Sequence, residues 1–354
     1  MVRATLRCLV CALAAAMAGA QSVTAQGTRY VNVTDVPPAK SGTIHADTLW
    51  RVGNRNDDPP ELGFSIVSDI ELDSLGHLLV VDSRKSRVCV LTQSGGYVAT
   101  LGHGSPAVGG LSLPIAVSVA PDSDIFVYDA GSANVVEFNK NYAFVRTIRT
   151  SKVIGNVRSF VVSRDRIYVS GVGQDPDLRG HTVHTFARAT GTYLFSFGLL
   201  APTSTEDVSY LVGAGRITRA RDGGLWYAQV APYVVRKYSP DGRLLVEIDR
   251  ANAFLTSGDS AYAILLQGGR MITSPRPHAA AFRAQELADG SLIHQTRLAD
   301  GRIVTDFYSP QYTLTASTLG IPGLSLQFGP GLFAALLYDN EVPSVGAVRI
   351  DTPH

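Results

Sequence analysis

The feature that most constrains this chain is a repeat of short β-rich runs. Asp69 to Gly102 divides into "DIEL", "HLLVVD", "RVCVLT" and "YVATLG", separated by "DSLG", "SRKS" and "QSGG". Each break is rich in Gly, Ser, Asp or charge, the chemistry that tight β-turns require. The next unit reads "IAVSV", "IFVYD", "NVVEFN" and "FVRTIR", and its Asp129 stands where Asp82 stood, 47 residues earlier. A third unit runs from Val157 to Gly198 and a fourth is built from "ITRA", "GLWYAQ", "YVVRKYS" and "LLVEID". A fifth follows, in which "IVTDFYSPQYTLTAS" aligns with "VVRKYSPDGRLLVEI" of the fourth. The last unit, "LSLQF", "LFAALLYD" and "GAVRIDT", stops one strand short.

The missing strand lies at the other end of the chain. "DTLWRVGN", Asp47 to Asn54, resembles the fourth runs "YVATLG" and "YLFSFG" but precedes the first full unit. A period of about 40 to 50 residues with four strands per unit is the pattern of radial sheets in a ring. The expected fold is therefore all-β, a six-bladed β-propeller of four-stranded blades, with the last blade closed by the N-terminal strand. Closure removes the unpaired sheet edges of an open array. Composition agrees, because charged residues make up only 17% of the chain, below the usual quarter or so. Strands covered on both faces produce that deficit.

Residues 1–25 read as a signal peptide, with Arg3 and Arg7 ahead of an apolar Leu9 to Ala18 and small-residue cleavage sites ending at Ala20 and Ala25. Residues 26–46 form an N-terminal extension, and 47–354 the propeller. No run is long enough to span a membrane, so the mature protein is expected to be exported, periplasmic or secreted. The formal charge of +1 becomes −1 once Arg3 and Arg7 are lost, which exerts no global pull on nucleic acid or anionic membranes. Cys8 and Cys11 leave with the signal. Cys89 in "SRVCVL" reads as a buried strand position where a thiol acts as a small hydrophobe.

"DIELDSLGHLLVVDSRKSRVCVLTQSGGYVATLG" and "LPIAVSVAPDSDIFVYDAGSANVVEFNK" resemble NHL-type repeats of bacterial six-bladed propellers. The shared features are the Pro or apolar residue before strand one, the Asp/Gly turn, the Asp ending strand two and the Gly after strand four. The match is strongest in the first two blades and weaker in the fourth to sixth, where Gln229, Thr296 and Asp339 fall near the Asp position. The resemblance implies an architecture and leaves activity open, since similar propellers include ligand- and protein-binding modules, lactonases and lyases.

In such a ring, the loops between blades and those between strands two and three share one face, called the top here. The longest irregular segments fall in those classes: Gly171 to Gly180, Leu199 to Val212 and Ala251 to Ala280. Aligning the blades on their second strands places Asp69, Ala116, Arg158, Arg216, Arg283 and Gly323 at one level of the channel mouth. Three arginines there suit a carboxylate or phosphate, although one residue of slippage in a turn would move Arg158 out of register. Arg219 and Glu286 stand where other blades carry Leu72, Val119, Val161 and Leu326, and a charge in that layer needs a partner or water. His181 and His184, following Asp175 and Asp177, have only a weak metal-ligand spacing.

The leading expectation is an exported, non-catalytic propeller that binds a small anionic ligand or an envelope or extracellular protein at its top face. Its candidate ligand-binding residues are Asp69, Glu71, Arg158, Arg216, Arg219, Arg283 and Glu286, with no catalytic residue, metal ligand or cofactor assigned. The alternative is a metal-dependent hydrolase or lyase of the lactonase or amidating-lyase kind, with a divalent cation in the channel. Against it, the inner strands offer Asp69, Glu71, Gln285 and Glu286 but no histidine, and arginines repel a cation.

Overall fold

Turn chemistry sets the blades. At the first hairpin, the Asp73 carboxylate accepts hydrogen bonds from the backbone N–H groups of Leu75 and His77, both at 2.8 Å. Gly76 supplies the left-handed residue at φ +81° that completes the turn. The computed structural model describes residues 27–33, 44–53, 58–173, 175–200, 215–250, 262–267, 270–275, 280–339 and 342–351. The proposed signal peptide lies outside the described residues, as do most of 199–212 and parts of 251–280.

Two strands, β1 (Arg29–Val33) and β2 (Ala46–Val52), precede the first full blade. Blade one is β3 (Val67–Leu72), β4 (Leu78–Asp82), β5 (Arg87–Leu91) and β6 (Tyr97–Leu101). Blade two is β7 (Pro114–Val119), β8 (Ile125–Asp129), β9 (Asn134–Phe138) and β10 (Phe144–Arg149). Blade three is β11 (Gly155–Val162), β12 (Arg166–Val172), β13 (His181–Ala187) and β14 (Tyr193–Leu199). Blade four is β15 (Arg216–Arg219), β16 (Leu225–Ala228), β17 (Val234–Tyr238) and β18 (Leu244–Arg250). A separate hairpin of β19 (Tyr262–Gln267) and β20 (Arg270–Pro275) follows, so the segment expected to be irregular carries a small sheet of its own. Blade five is β21 (Ala280–Glu286), β22 (Leu292–Arg297), β23 (Ile303–Tyr308) and β24 (Leu314–Leu319). Blade six is β25 (Gly323–Gly329), β26 (Leu332–Asp339) and β27 (Val342–Ile350), completed by β2 running antiparallel to β27.

The protein is thus a six-bladed β-propeller closed by its N-terminal strand. Burial explains the low charge content: β4 and β5 are buried at every position, while the outermost strand β6 is buried only at Leu101. Six apolar clusters lie between consecutive blades, the last joining blade six to blade one through Leu326, Ala334 and Val345 against Ile70, Leu78 and Cys89. Side chains also stitch neighbouring blades together. Asp69 Oδ2 accepts from Val117 N at 3.2 Å, Ser118 Oγ from Val162 N at 3.0 Å, and Ser159 Oγ from Ile217 N at 2.7 Å. Thr218 Oγ1 donates to Ala284 O at 2.7 Å, and Gln295 Oε1 accepts from Leu324 N at 2.7 Å.

The repeated Asp has a physical job. Asp82 accepts from Ser65 N and Ile66 N, both at 3.1 Å, and Asp129 accepts from Ser112 N and Leu113 N at 3.2 and 2.6 Å. Each carboxylate caps the segment that leads into its blade's inner strand. The N-terminal extension departs from expectation, because β1 adds to blade four as a fifth strand, parallel to β18. Val31 and Val33 pack on the cluster between blades four and five, and Arg29 donates to Gln311 O at 2.7 Å.

Two truncations separate these roles. A chain beginning at Arg55 lacks β2, leaves that edge of β27 unpaired and removes Trp50, whose indole N–H donates to Gln93 O at 2.7 Å. The expected loss is ~3–5 kcal/mol, seen as a melting decrease on the order of 10 °C with aggregation. A chain beginning at Ala46 loses only β1 and should fall by ~1–2 kcal/mol, because β1 is a half-exposed edge. Equal melting of the Arg55 chain and the full mature chain would contradict the closure.

Candidate functional site

The inner strands β3, β7, β11, β15, β21 and β25 pack side by side around the channel. Their register on the second strands decides which side chains share a level. Asp69 pairs with Val81, Ala116 with Tyr128, Arg216 with Ala228 and Arg283 with Gln295, so these four share the expected level. In blade three the equivalent residue is Ser159, opposite Ser170, and the register shifts between Gly155 and Ser159. Asn156 takes a left-handed φ of 47° in that bulge. Arg158 therefore lies one position off the ring and is exposed, as a single-residue slip would produce. Ser159 occupies its place and bonds to the next blade as Asp69 does.

Arginines nonetheless gather at the mouth. Arg283 Nη1 is 3.5 Å and Arg216 Nη1 3.8 Å from the same oxygen, Asp69 Oδ1, and Arg216 also donates to Ser68 O at 3.3 Å. Burial pushes the Arg216 pKa down, the Asp69 charge opposes this, and the Arg283, Arg158 and Arg297 charges add to the depression. Arg216 thus feels three other guanidinium charges together with the Asp69 carboxylate, and arginine stays protonated throughout. The Arg283 Nε is buried without a hydrogen-bond partner. Ser68, Asp69, Arg216, Arg283 and Arg297 line a cavity of about 200 Å3 at the mouth. Arg297, at the top end of β22, belongs to this group although alignment of the inner strands alone passes over it. Its signal is its place one residue beyond Thr296, the Asp position of blade five.

The remaining candidates separate. Glu71 and Arg219 line a second cavity of about 360 Å3, which reaches the turns Asp73 to Ser74 and Ala120 to Ser123 at the opposite end. Burial raises the Glu71 pKa, and Arg283, the Leu72 N–H and Arg219 counter that rise while Asp69 adds to it. Arg283 borders both cavities. Arg219 reaches from blade four to donate to Val119 O and Val162 O at 2.7 and 2.6 Å. Arg219, Val119 and Val162 are equivalent positions on three blades, pairing with Leu225, Ile125 and Ile167. Glu286 ends β21 at the level of Arg219, pairing with Leu292, and its carboxylate turns to blade four. It accepts from Trp226 Nε1 at 3.0 Å and Arg221 N at 3.1 Å, joining blades four and five. Both charges expected to need partners have them.

The residues of the His–Asp cluster separate, and His181 Nδ1 is buried with no hydrogen-bond partner among the described residues. Lys152 Nζ lies 2.7 Å from Asp177 and 3.4 Å from Asp175. His184 is buried between Ser196 Oγ at 2.8 Å and Gly171 O at 3.3 Å. Among the described residues, no three His, Cys, Asp or Glu side chains group as metal ligands.

No family model and no curated protein matches the chain. Solved structures do. A Bacteroides fragilis protein assigned to the exported class superposes with a TM-score of 0.61 at 10% identity, covering 93% of this chain and 100% of that one. A member of the DUF4221 family from Bacteroides vulgatus gives 0.55 at 8% identity, covering 88% and 99%. Virginiamycin B lyase from Staphylococcus aureus, solved with quinupristin, gives 0.49 at 12% identity, covering 82% and 83%. Likeness at such identities speaks to the fold alone. No helix among the described residues is long and apolar enough to cross a membrane.

Two buried histidines make stability depend on pH. Burial lowers the His184 pKa to about 4, and burial with the nearby Arg250 charge lowers that of His294 to about 3. An unfolded histidine gains its proton near pH 6.5. Below that pH the unfolded chain binds more protons, so stability is full above about pH 6.5 and falls as pH drops toward the folded values. Each histidine should cost roughly 2 kcal/mol at pH 5. Neither nitrogen of His294 has a hydrogen-bond partner, and its ring abuts Tyr233 at 4.3 Å between centroids. His294→Leu should flatten the decline in urea midpoint between pH 7 and 5 by about one proton's worth. An unchanged slope would contradict this account.

Proposed function

We propose that this chain is an exported, non-catalytic propeller of NHL-repeat type that binds an anionic group, carboxylate or phosphate, at its top channel mouth. The observation that carries the reading is the convergence of Arg216 and Arg283 on the single oxygen Asp69 Oδ1, at 3.8 and 3.5 Å, with Arg158 and Arg297 close enough to add their charge. Those contacts are longer than charge-assisted hydrogen bonds of about 2.7–2.9 Å. An incoming anion can approach the guanidiniums more closely than Asp69 does. The Asp82 and Asp129 caps support the NHL reading, and the arginine and apolar pattern of residues 1–25 supports export to the periplasm or beyond. The metal-dependent hydrolase or lyase reading fits the donor set less well. Asp69 faces two guanidiniums, and Glu71 lies within reach of the Arg283 and Arg219 charges, so a divalent cation placed between the carboxylates would meet them all.

Calorimetric titration of the mature protein with inorganic phosphate and with succinate at low salt tests the proposal. Binding should weaken as ionic strength approaches 0.1 M, where the Debye length is about 10 Å. Arg216→Gln combined with Arg283→Gln should weaken it about tenfold or more, with melting within a few degrees of the parent. Binding of neither anion, or undiminished binding by the double variant, would overturn the reading.

A further inference from the structure

The mouth is basic, but the face around it is not uniformly polar. Ile66 and Leu113 are 50% and 45% exposed, and neither belongs to any of the six apolar clusters. They occupy one repeated position, three residues before Asp69 and Ala116 on adjacent blades. In both, the backbone does the structural work: the N–H is held by Asp82 or Asp129, and the C=O accepts from Ser83 N or Ala130 N at 2.9 Å. The fold thus asks nothing of these side chains, yet both are large and apolar. Val108 and Val153 are exposed in inter-blade segments at the same end, and Leu199 is exposed as the last residue of β14 there. Among the described residues, the opposite end exposes Leu75 in a turn and Tyr97 at the start of β6. The top face therefore carries an apolar crescent on blades one to three beside arginines from blades three to five.

Size distinguishes the occupants. A mouth cavity of about 200 Å3 is below the roughly 300–1,000 Å3 of small-molecule pockets. It accepts a group of side-chain size, and the rest of the ligand must lie on the face. The apolar side chains are dispersed over three blades instead of lining one groove, which suits a polypeptide with several side chains more than a single acyl chain. Resting on the anion reading above, we infer that the top face binds an extended segment of a partner protein. An acidic side chain enters the mouth between Arg216, Arg283 and Arg297, and apolar neighbours of that residue lie on Ile66 and Leu113. A central desolvated charge ringed by apolar contact is how protein interfaces combine specificity with affinity.

The probes are fluorescein-labelled pentapeptides: Ser-Leu-Glu-Leu-Ser, its Gln analogue Ser-Leu-Gln-Leu-Ser, and Ser-Ser-Glu-Ser-Ser. Anisotropy with the full mature protein at low salt should show losses of about tenfold for Glu→Gln and about tenfold for both Leu→Ser changes. In a protein carrying Ile66→Ser and Leu113→Ser, the Leu preference should shrink below about twofold while the Glu preference persists. Comparing peptides on the parent protein keeps the test decisive even if that variant folds poorly. A Glu preference without a Leu preference overturns this inference and leaves the anion site standing. Loss of the Glu preference overturns both. A Leu preference unaffected by the double substitution overturns the assigned contacts, and tighter binding of octanoate than of the Leu-Glu-Leu peptide replaces the polypeptide with an amphiphile.

Discussion

Ring closure is the constraint on which the rest of this structure depends. No blade has a core of its own, because each apolar cluster is shared between consecutive blades. A four-stranded sheet with both faces apolar is stable only when both neighbours are present. The sixth interface therefore determines whether the first and last blades are covered, and β2 completes the blade that makes it. The same N-terminal stretch ties two non-adjacent blades, since β1 pairs with blade four and β2 with blade six. The channel inherits its geometry from this arrangement. Asp69 and Arg216 belong to opposite blades of six, and only a closed ring brings them within 3.8 Å.

The architecture was legible in the sequence because both signals that encode it are local. Turn residues mark every hairpin, and strands such as "HLLVVD" and "RVCVLT" are apolar without alternation because both their faces are covered. The N-terminal strand could be assigned to the last blade because Trp50 and Gly53 repeat the pattern of other fourth strands. The features that run against expectation are one non-local pairing and one local hairpin. "RYVNV" is a short edge strand whose partner, β18, lies more than two hundred residues away and runs parallel, so no turn announces the pairing. The hairpin of β19 and β20 was written in "YAILLQGGRMITSP", two apolar runs around Gly-Gly, a direct hairpin signal hidden by the length of the segment.

The site was legible to the same depth. Asp69, Arg216 and Arg283 were placed correctly because their blades keep regular register, and residues far apart in sequence fell on one level. Arg158 failed because the bulge at Asn156 is a conformational choice that composition does not advertise. Arg219 and Glu286 were rightly marked as charges in an apolar layer, but their partners are a pair of carbonyls and an indole N–H on other blades. Such partners depend on the three-dimensional ring and have no sequence spacing.

The two ends of the channel hold arginine in different ways. At the lower end, Arg219 donates to two carbonyls at 2.7 and 2.6 Å and ties three blades together. Its hydrogen bonds are short and its partners neutral, so the interaction pins the ring. At the upper end, Arg216 and Arg283 share one carboxylate oxygen at distances beyond good hydrogen bonding, with two more guanidiniums adding repulsion. Holding like charges together costs free energy that a structural role could avoid with a neutral residue, as Ala116, Ser159 and Gly323 do at neighbouring positions of the same ring. Asp69 offsets part of that cost and also bonds to Val117, so it cannot leave to do more. The proposed anion would approach the same guanidiniums from the open side of the mouth, where Asp69 does not reach them.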